Sequence, residues 1–352
     1  MVTCQTILAI ETSCDDTSVA IVSQDGRVLS VLSANQDLAH QPFGGVVPEI
    51  ASRNHTLQLL PLVEMALSKA KMDWNQIDGL AVTSRPGLIG ALMVGVVTAK
   101  TLALVFNKPL IGVNHLEGHL LAPLLRDESY GPPDGFSYPY IGLAISGGHT
   151  SLYQIDDFSV YRVLGQTIDD AAGEAFDKFA KLLGLGYPGG VQVDRWAQKG
   201  DPHRFSFPRA MIHEETYDMS FSGLKTAGQR QLEKMSSGEI ENAKGDLCAS
   251  YQEAIVEVLI QRLDRAVHMI GLRKAILTGG VSANSRLRAV ATQWAEKKGI
   301  QLVIPPLRYC TDNAAMIGYA GILRLNRGEQ SAHDLGPHPK ALPGDFILES
   351  RK

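Results

Sequence analysis

The stretch Asn114 to His119, read Asn-His-Leu-Glu-Gly-His, sets two imidazoles four positions apart directly after the short apolar run Leu110 to Val113. Residues i and i+4 share a helix face, so both rings can reach one cation. Asn114 followed by Glu117 has the form of a capping box, which puts the pair at the first turn of a helix, at the carboxyl end of a strand. Open α/β sheets form their ligand crevices there. The spacing departs from the H-E-x-x-H helix of zinc peptidases, because Leu116 stands where that helix carries its general base. Glu117 is turned roughly 200° from His115, away from the metal face, and capping is its expected role. The ordinary alternative for His115 and His119 is a hydrogen-bonded polar pair at a helix start. A third ligand would separate the two readings. Asp312, in Cys310-Thr-Asp-Asn313 just before another helix, is the candidate, with helix capping as its own ordinary explanation. Two imidazoles and a carboxylate with open positions suit zinc or iron.

Three glycine-rich turns add a second kind of chemistry. Ser146-Gly147-Gly148, Tyr187-Pro-Gly189-Gly190 and Thr278-Gly279-Gly280 each read as a turn after a strand, where glycine lets backbone amides approach an anion and helix starts add positive dipole. None is a Walker loop, and one Gly-Gly alone is only a turn. Asp177 and Asp194 bracket the second turn and are candidates for ribose hydroxyls, while Asn284 follows the third and could meet a base. Taken singly, these three read as a solvated helix position, a loop or cap aspartate and a helix N-cap. Glu11, Asp15 and Asp16 form an acidic cluster at the first hairpin, either a metal-phosphate or nucleophile contact or a solvated turn.

The elements that position these groups belong to a chain of 352 residues, 45% hydrophobic and 20% charged, long enough for two lobes with sizeable cores. Its net charge of −4 leaves no basic footprint, so any nucleic-acid partner must be argued from local sites. Cys4, Cys14, Cys248 and Cys310 show no C-x-x-C spacing, which points to buried thiols in a reducing, cytoplasmic setting. No signal peptide is expected. Leu88 to Phe106 is apolar enough to suggest a membrane span, but Lys100 interrupts it and Gly90 and Gly95 line it, so a helix buried between a sheet and its neighbours is expected, with no membrane partner.

The strand pattern occurs twice. Ile7 to Ile10, Ser18 to Val22 and Val28 to Ser33 read as three strands, and Tyr140 to Ser146, Thr150 to Ile155 and Tyr161 to Leu164 repeat them. In each half a helix, a strand, a glycine-bearing turn and another helix follow, with Leu80 to Thr83 answered by Ala275 to Thr278. This order implies a duplicated α/β fold of two actin- and hexokinase-like (ribonuclease H-like) lobes with a cleft between them. The expected division is an N-terminal lobe over 1–112, a C-terminal lobe over 113–312 and an irregular tail over 327–352. A mostly helical insertion is expected over about 195–245, before a long helix from Asp246 to Ile270. The helix 313–326 is expected to pack back on the first lobe.

Longer motifs carry a resemblance over nearly the whole chain. Lys100 to Leu120 resembles the signature of the family once called glycoproteases or O-sialoglycoprotein endopeptidases, whose members are tRNA N6-adenosine threonylcarbamoyltransferases. ETSCDDT at Glu11 to Thr17, GGVVPEIASRNH at Gly44 to His55, SGGHT at Ser146 to Thr150, IDDAAGEAFDK at Ile168 to Lys178, YPGG at Tyr187 to Gly190, FSGLKT at Phe221 to Thr226 and GGVSANSRLR at Gly279 to Arg288 are similar to that family in the same order. The wording looks bacterial.

The resemblance implies transfer of a threonylcarbamoyl group from threonylcarbamoyl-adenylate to N6 of adenosine 37 in tRNAs reading codons that begin with A, with release of AMP. It implies one divalent metal, iron before zinc, on His115, His119 and Asp312. Ser146, Gly147 and Gly148 would meet the phosphate, and Asp177, Gly190, Asp194 and Asn284 would hold the adenylate. Glu11 and Lys225 are the side chains nearest to a catalytic role, with a solvated lysine the alternative for Lys225. Implied partners are tRNA, a paralogous scaffold subunit and a small ATPase. Where the family usually reads Gly-Pro-Gly, this chain has Arg85-Pro86-Gly87, which adds a charge at a lobe-packing turn. A sugar-kinase or actin-like ATPase, a non-catalytic scaffold of the same superfamily and a metal-dependent peptidase are the other readings of such a chain.

Overall fold

The apolar runs that begin at Thr6 and at Tyr140 each open a five-stranded mixed sheet. The computed structural model describes residues 3–340. The first sheet contains β1 (Thr6–Glu11), β2 (Thr17–Ser23), β3 (Val28–Ala34), β4 (Gly79–Arg85) and β5 (Leu110–Asn114) in the order β3-β2-β1-β4-β5. The second contains β6 (Tyr140–Ile145), β7 (Thr150–Asp157), β8 (Val160–Gln166), β9 (Lys274–Thr278) and β10 (Gln301–Val303) in the order β10-β9-β6-β7-β8. Read from the meander side the two orders are the same. Three antiparallel strands come first, then two strands that join in parallel, with Ile7 opposite Gly79 in one sheet and Ile141 opposite Ala275 in the other. This is the duplicated actin- and hexokinase-like α/β architecture.

Two compact units divide the described residues, one built from those through Asp134 together with 305–340, the other from Gly135–Ile304. The expected boundaries at 112 and 312 differ from these. The helix His115–Leu121 stays with β5, the strand that launches it, and the chain returns to the first sheet at Pro305, so His115, His119 and Asp312 all belong to the first unit.

In the first unit the side chains of β1 alternate between two helical layers, as the period of two requires. Leu8 and Ile10 join Leu80, Val82, Leu59 and Val96 on the side of the helices Pro48–Ala70 and Ile89–Val105. Ile7 and Ala9 face the helix Ala314–Asn326, where a Cβ on Gly318 would lie 3.1 Å from that of Ala9 and one on Gly321 only 2.4 Å from that of Ala81. Those glycines let the helix sit directly on the sheet. The helix Ile89–Val105 differs from the expectation of full burial. Ala91, Leu92, Val96 and Ala99 are covered, whereas Ile89, Met93, Val97 and Leu104 are 47–73% exposed. No helix of the described residues is long and apolar enough to cross a membrane.

In the second unit the helix Ser237–Ile270 runs through the core and stacks Tyr251 on Phe179 at 3.8 Å. It begins nine residues before the expected Asp246, because Ser236 and Glu239 form a capping box there. The expected helical insertion is helical only in part. The helix Gly189–Ala197 ends early, residues 198–221 lack regular helix, and Ser222–Glu233 is helical. Buried Arg262 organises that irregular stretch, donating to the carbonyls of Asp218, Glu214 and Met211. After Asn326 the tail is irregular and follows the edge of the first sheet, with Ser331 N donating to Leu110 O at 2.8 Å. The expected tail beyond residue 340 lies outside the described residues.

Candidate metal centre and glycine turns

Asn114 ends β5 and its side chain accepts the Leu116 N–H at 2.9 Å, starting the helix His115–Leu121. The other half of the expected capping box is corrected by the structure. Glu117 is fully buried and turns away to accept two guanidinium hydrogen bonds from Arg324, at 2.8 and 2.9 Å. A bidentate ion pair with a guanidinium is stronger than the single Asn114 backbone N–H that the capping box would offer Glu117.

The opposite face of that helix presents His115 and His119, with ring centroids 4.6 Å apart and planes nearly perpendicular. Both Nε2 atoms lie 3.2 Å from Asp312 Oδ1, and one ligand atom from each residue falls within 4.8 Å of the others. Metal–nitrogen and metal–oxygen bonds of about 2.0–2.2 Å separate neighbouring ligand atoms by roughly 3.0–3.5 Å, so this donor set fits one ion. Among the described residues it is the one such cluster of histidine, cysteine and carboxylate side chains.

Glu11 stands behind this set. Its Oε2 accepts His115 Nδ1–H at 2.8 Å and Thr83 Oγ–H at 2.6 Å, its Oε1 accepts Ser13 N–H at 2.5 Å, and it has no exposure. Holding Nδ1 protonated leaves Nε2 as the lone-pair donor toward Asp312 and a cation. Electrostatics agree. Burial opposes charge on His115, yet Asp312 and Glu11 hold its pKa well above the ordinary value. Burial likewise opposes ionisation of Asp312, and His115 and His119 overcome it, pulling the carboxyl well below its usual range. For His119 burial dominates and, with His115 beside it, lowers the pKa. The site therefore stabilises positive charge flanked by two carboxylates, with Asp312 the one member a quarter exposed.

The glycine turns lie in the second unit. Ser146-Gly147-Gly148 links β6 to β7, with Ser146 N–H donating to His149 O at 2.7 Å and Ser146 Oγ accepting His149 N–H at 3.1 Å. Gly147 and Gly148 have open space where a Cβ would point, as does Gly280 after β9. Backbone amides there can meet an anion without a side chain in the way. The Tyr187 to Gly190 turn does not follow a strand, as expected from sequence, but the helix Ala172–Leu182. It opens the helix Gly189–Ala197, and Asp177 from the preceding helix accepts Gly190 N–H at 3.1 Å.

Asp194 accepts from Ser285 N and Oγ at 3.1 and 2.7 Å. Asn284 caps the helix Ser285–Lys298 through Leu287 N–H and donates to Gln252. Asp177, Asp194, Gly190 and Asn284 are thus brought to the turns and helix starts of one unit. Lys225 is exposed on the helix Ser222–Glu233. Asp16 accepts from Asn35 at 3.0 Å, and burial, Asp312 and Asp15 push its pKa up to about 7.

Ser13, Thr83 and Arg324 were not read from sequence as site residues. Thr83 carries a signal in hindsight, being the polar residue on the Ala81 side of an apolar strand. Arg324, 207 residues from Glu117, carries none.

Comparison with known proteins identifies the family of the chain. The profile of the TsaD family, tRNA N6-adenosine threonylcarbamoyltransferase, matches residues 27–319. A protein of Bdellovibrio bacteriovorus with that name is 65% identical over 340 residues, covering 97% of this chain and 99% of its own. One of Anaeromyxobacter dehalogenans is 54% identical over 334 residues, covering 95% and 98%. Among solved structures, component A of the Acidaminococcus fermentans (R)-2-hydroxyglutaryl-CoA dehydratase superposes with a TM-score of 0.52 at 13% identity, over 91% of this chain and 98% of that one, a likeness of fold alone.

Proposed function

The chain belongs to the tRNA N6-adenosine threonylcarbamoyltransferases, transferases that modify tRNA, and we propose that its first unit holds a divalent metal on His115, His119 and Asp312 while its second holds threonylcarbamoyl-adenylate on the glycine turns. The convergence of two Nε2 atoms on Asp312, with Glu11 behind His115, carries this reading. Iron is the metal the resemblance favours, with zinc the other ion such donors accept.

The acceptor, an exocyclic adenine amine, is a poor nucleophile. The acyl carbon must therefore be strongly electrophilic, which a mixed anhydride with AMP as leaving group provides. When bound, the metal would supply Lewis acidity. His115 holds its ring orientation through the helix and through Glu11, itself fixed by Thr83 and Ser13, while the His119 ring meets Asp312, so that coordination requires little rearrangement. Glu11 serves as the positioning group for His115, since its three hydrogen bonds all run to buried partners. In the second unit Gly147, Gly148 and Gly280 would present backbone N–H groups to the phosphate as charge grows on it. Asp177 and Asp194 shape that surface by holding Gly190 and Ser285. Lys225, exposed and without a hydrogen bond among the described residues, is a candidate contact for the anionic substrates.

Partner proteins belong to the same proposal. Ile89, Met93, Val97 and Leu104 make an exposed stripe on one helix, and Leu57, Leu60 and Met65 are exposed on the helix packed against it. Such a surface suits burial against a protein, and the paralogous scaffold is the proposed occupant, with the small ATPase completing the complex. Cytoplasmic location is part of the same reading.

Nucleoside mass spectrometry tests it. The chain, both partner proteins, threonylcarbamoyl-adenylate and unmodified tRNA should yield threonylcarbamoyladenosine, and Asp312→Ala should abolish it. Absence of the product with every component present, beside steady ATP-dependent sugar phosphorylation, would transfer the site to kinase chemistry.

A further inference from the structure

Arg85 ends β4 with its Cα paired to Asn114, the residue immediately before His115. It is half-buried, and its guanidinium makes no hydrogen bond or ion pair with another described residue. The tail is fastened beside it: Ser84 O accepts His338 N–H at 2.8 Å, and Gly87 N–H donates to Pro339 O at 3.3 Å. Exposed His338 and Lys340 are thereby brought to the same strand end. The turn after Arg85 rests on Ser13, whose carbonyl accepts Leu88 N–H at 2.8 Å and lies 2.4 Å from where a Gly87 Cβ would stand. Ser13 Oγ in turn is 3.3 Å from His115 Nδ1.

Arg85 and the backbone that carries Lys340 therefore lie at the strand end beside the metal-ligating helix, while Asp15 and Asp16 occupy the loop that follows Ser13. An anion approaching this strand end is drawn toward Arg85 and repelled from the two aspartates. We propose that Arg85, assisted by Lys340, contacts a backbone phosphate of the tRNA next to the adenosine being modified. The inference rests on the transferase reading and deepens it by naming where the RNA is gripped. The cationic groups are spread over a strand end and an exposed strap, which suits the spaced charges of a polymer better than one small carboxylate. The planar fork of arginine matches two phosphate oxygens at once.

The test compares the full chain with Arg85→Ala, Arg85→Lys and Lys340→Ala, using unmodified tRNA as the probe in binding titrations across a salt series. Loss of one phosphate contact lowers the slope of log K against log salt by about 0.7–0.9, so between about 50 and 200 mM salt the unaltered chain should lose roughly threefold more affinity than Arg85→Ala. Arg85→Lys should keep the slope while binding more weakly, and Lys340→Ala should show a smaller loss of the same sign. AMP affinity and bound metal should not change in any of them. Equal slopes and affinities for the unaltered chain and Arg85→Ala would overturn the proposal. So would unchanged tRNA binding with a raised KM for threonylcarbamoyl-adenylate, which would assign Arg85 to the acyl carboxylate. Normal product formation at an unchanged KM for tRNA in Arg85→Ala overturns this contact and leaves the transferase reading standing. Absence of product from the unaltered chain strikes that reading instead.

Discussion

Arg324→Met removes the partner of a carboxylate with no access to water. Glu117 sits in the histidine helix at 0% exposure and receives Arg324 Nε–H and Nη2–H on its two oxygens, at 2.8 and 2.9 Å. The pair raises the Arg324 pKa against the effect of burial, so the guanidinium is charged throughout the working range. Losing two charge-assisted hydrogen bonds at about 1.5–3 kcal/mol each gives a cost of about 3–6 kcal/mol, which overlaps the roughly 3–5 kcal/mol found when one member of a buried ion pair is removed. Methionine fills most of the lost volume, which keeps the cavity contribution small. Glu117→Gln should cost less, about 1–3 kcal/mol, because Arg324 keeps Glu329 as a partner. The double variant Glu117→Leu with Arg324→Met should come back to within about 1 kcal/mol of the unaltered protein, since an apolar pair replaces both charges. Urea unfolding read by hydrogen exchange in peptides of 115–121 and 314–326 isolates the first unit from the second. Arg324→Met within about 1 kcal/mol of the parent, or a double variant as unstable as the sum of the singles, would refute the argument.

Asp16 and the glycine turn give two further expectations. Because burial, Asp312 and Asp15 raise the folded-state pKa of Asp16 to about 7, its protonated form favours folding below about pH 4, and that stability is lost as pH rises through 7. Asp16→Asn in chelator-treated protein should thus be about 1–2 kcal/mol more stable than the parent at pH 8 and equal to it at pH 4, after allowance for the partial exposure of Asp16. Thermal melts at the two pH values check the sign, and stabilisation confined to pH 4 would contradict it. Gly173→Ala would place a Cβ 2.6 Å from Ser146 O and 2.7 Å from Gly147 Cα. A loss of about 1–3 kcal/mol of stability and weaker AMP binding by calorimetry, with metal content intact, should follow. Unchanged AMP affinity would remove this turn from the nucleotide site.

The duplicated sheets were legible because each strand carries its own apolar run and the turn signals recur in the same order. The histidine pair was legible because helix geometry converts a four-residue spacing into a shared face. Relations that join distant segments were not. Glu117 satisfies a local capping pattern, and only the return of the chain with Arg324 reveals a stronger partner. The same return brings Asp312 to the histidines and moves the unit boundary past the helix His115–Leu121, information no local window contains. Apart from Thr98, Lys100 and Thr101 the helix Ile89–Val105 is apolar around its circumference, so its sequence could not say which face the sheet covers. Glu11 was legible as a member of an acidic cluster, but its placement behind His115 depends on β1 and β5 ending together on either side of β4.

Metal analysis of the purified chain tests the centre of the account most directly. The unaltered protein and Asp194→Ala, which alters only the second unit, should each bind one equivalent of iron or zinc after reconstitution and desalting. His119→Ala and Asp312→Ala should retain less than about a tenth of that, because a two-donor remnant binds such ions weakly. Full occupancy in both His119→Ala and Asp312→Ala would contradict the assignment of this cluster as the metal centre.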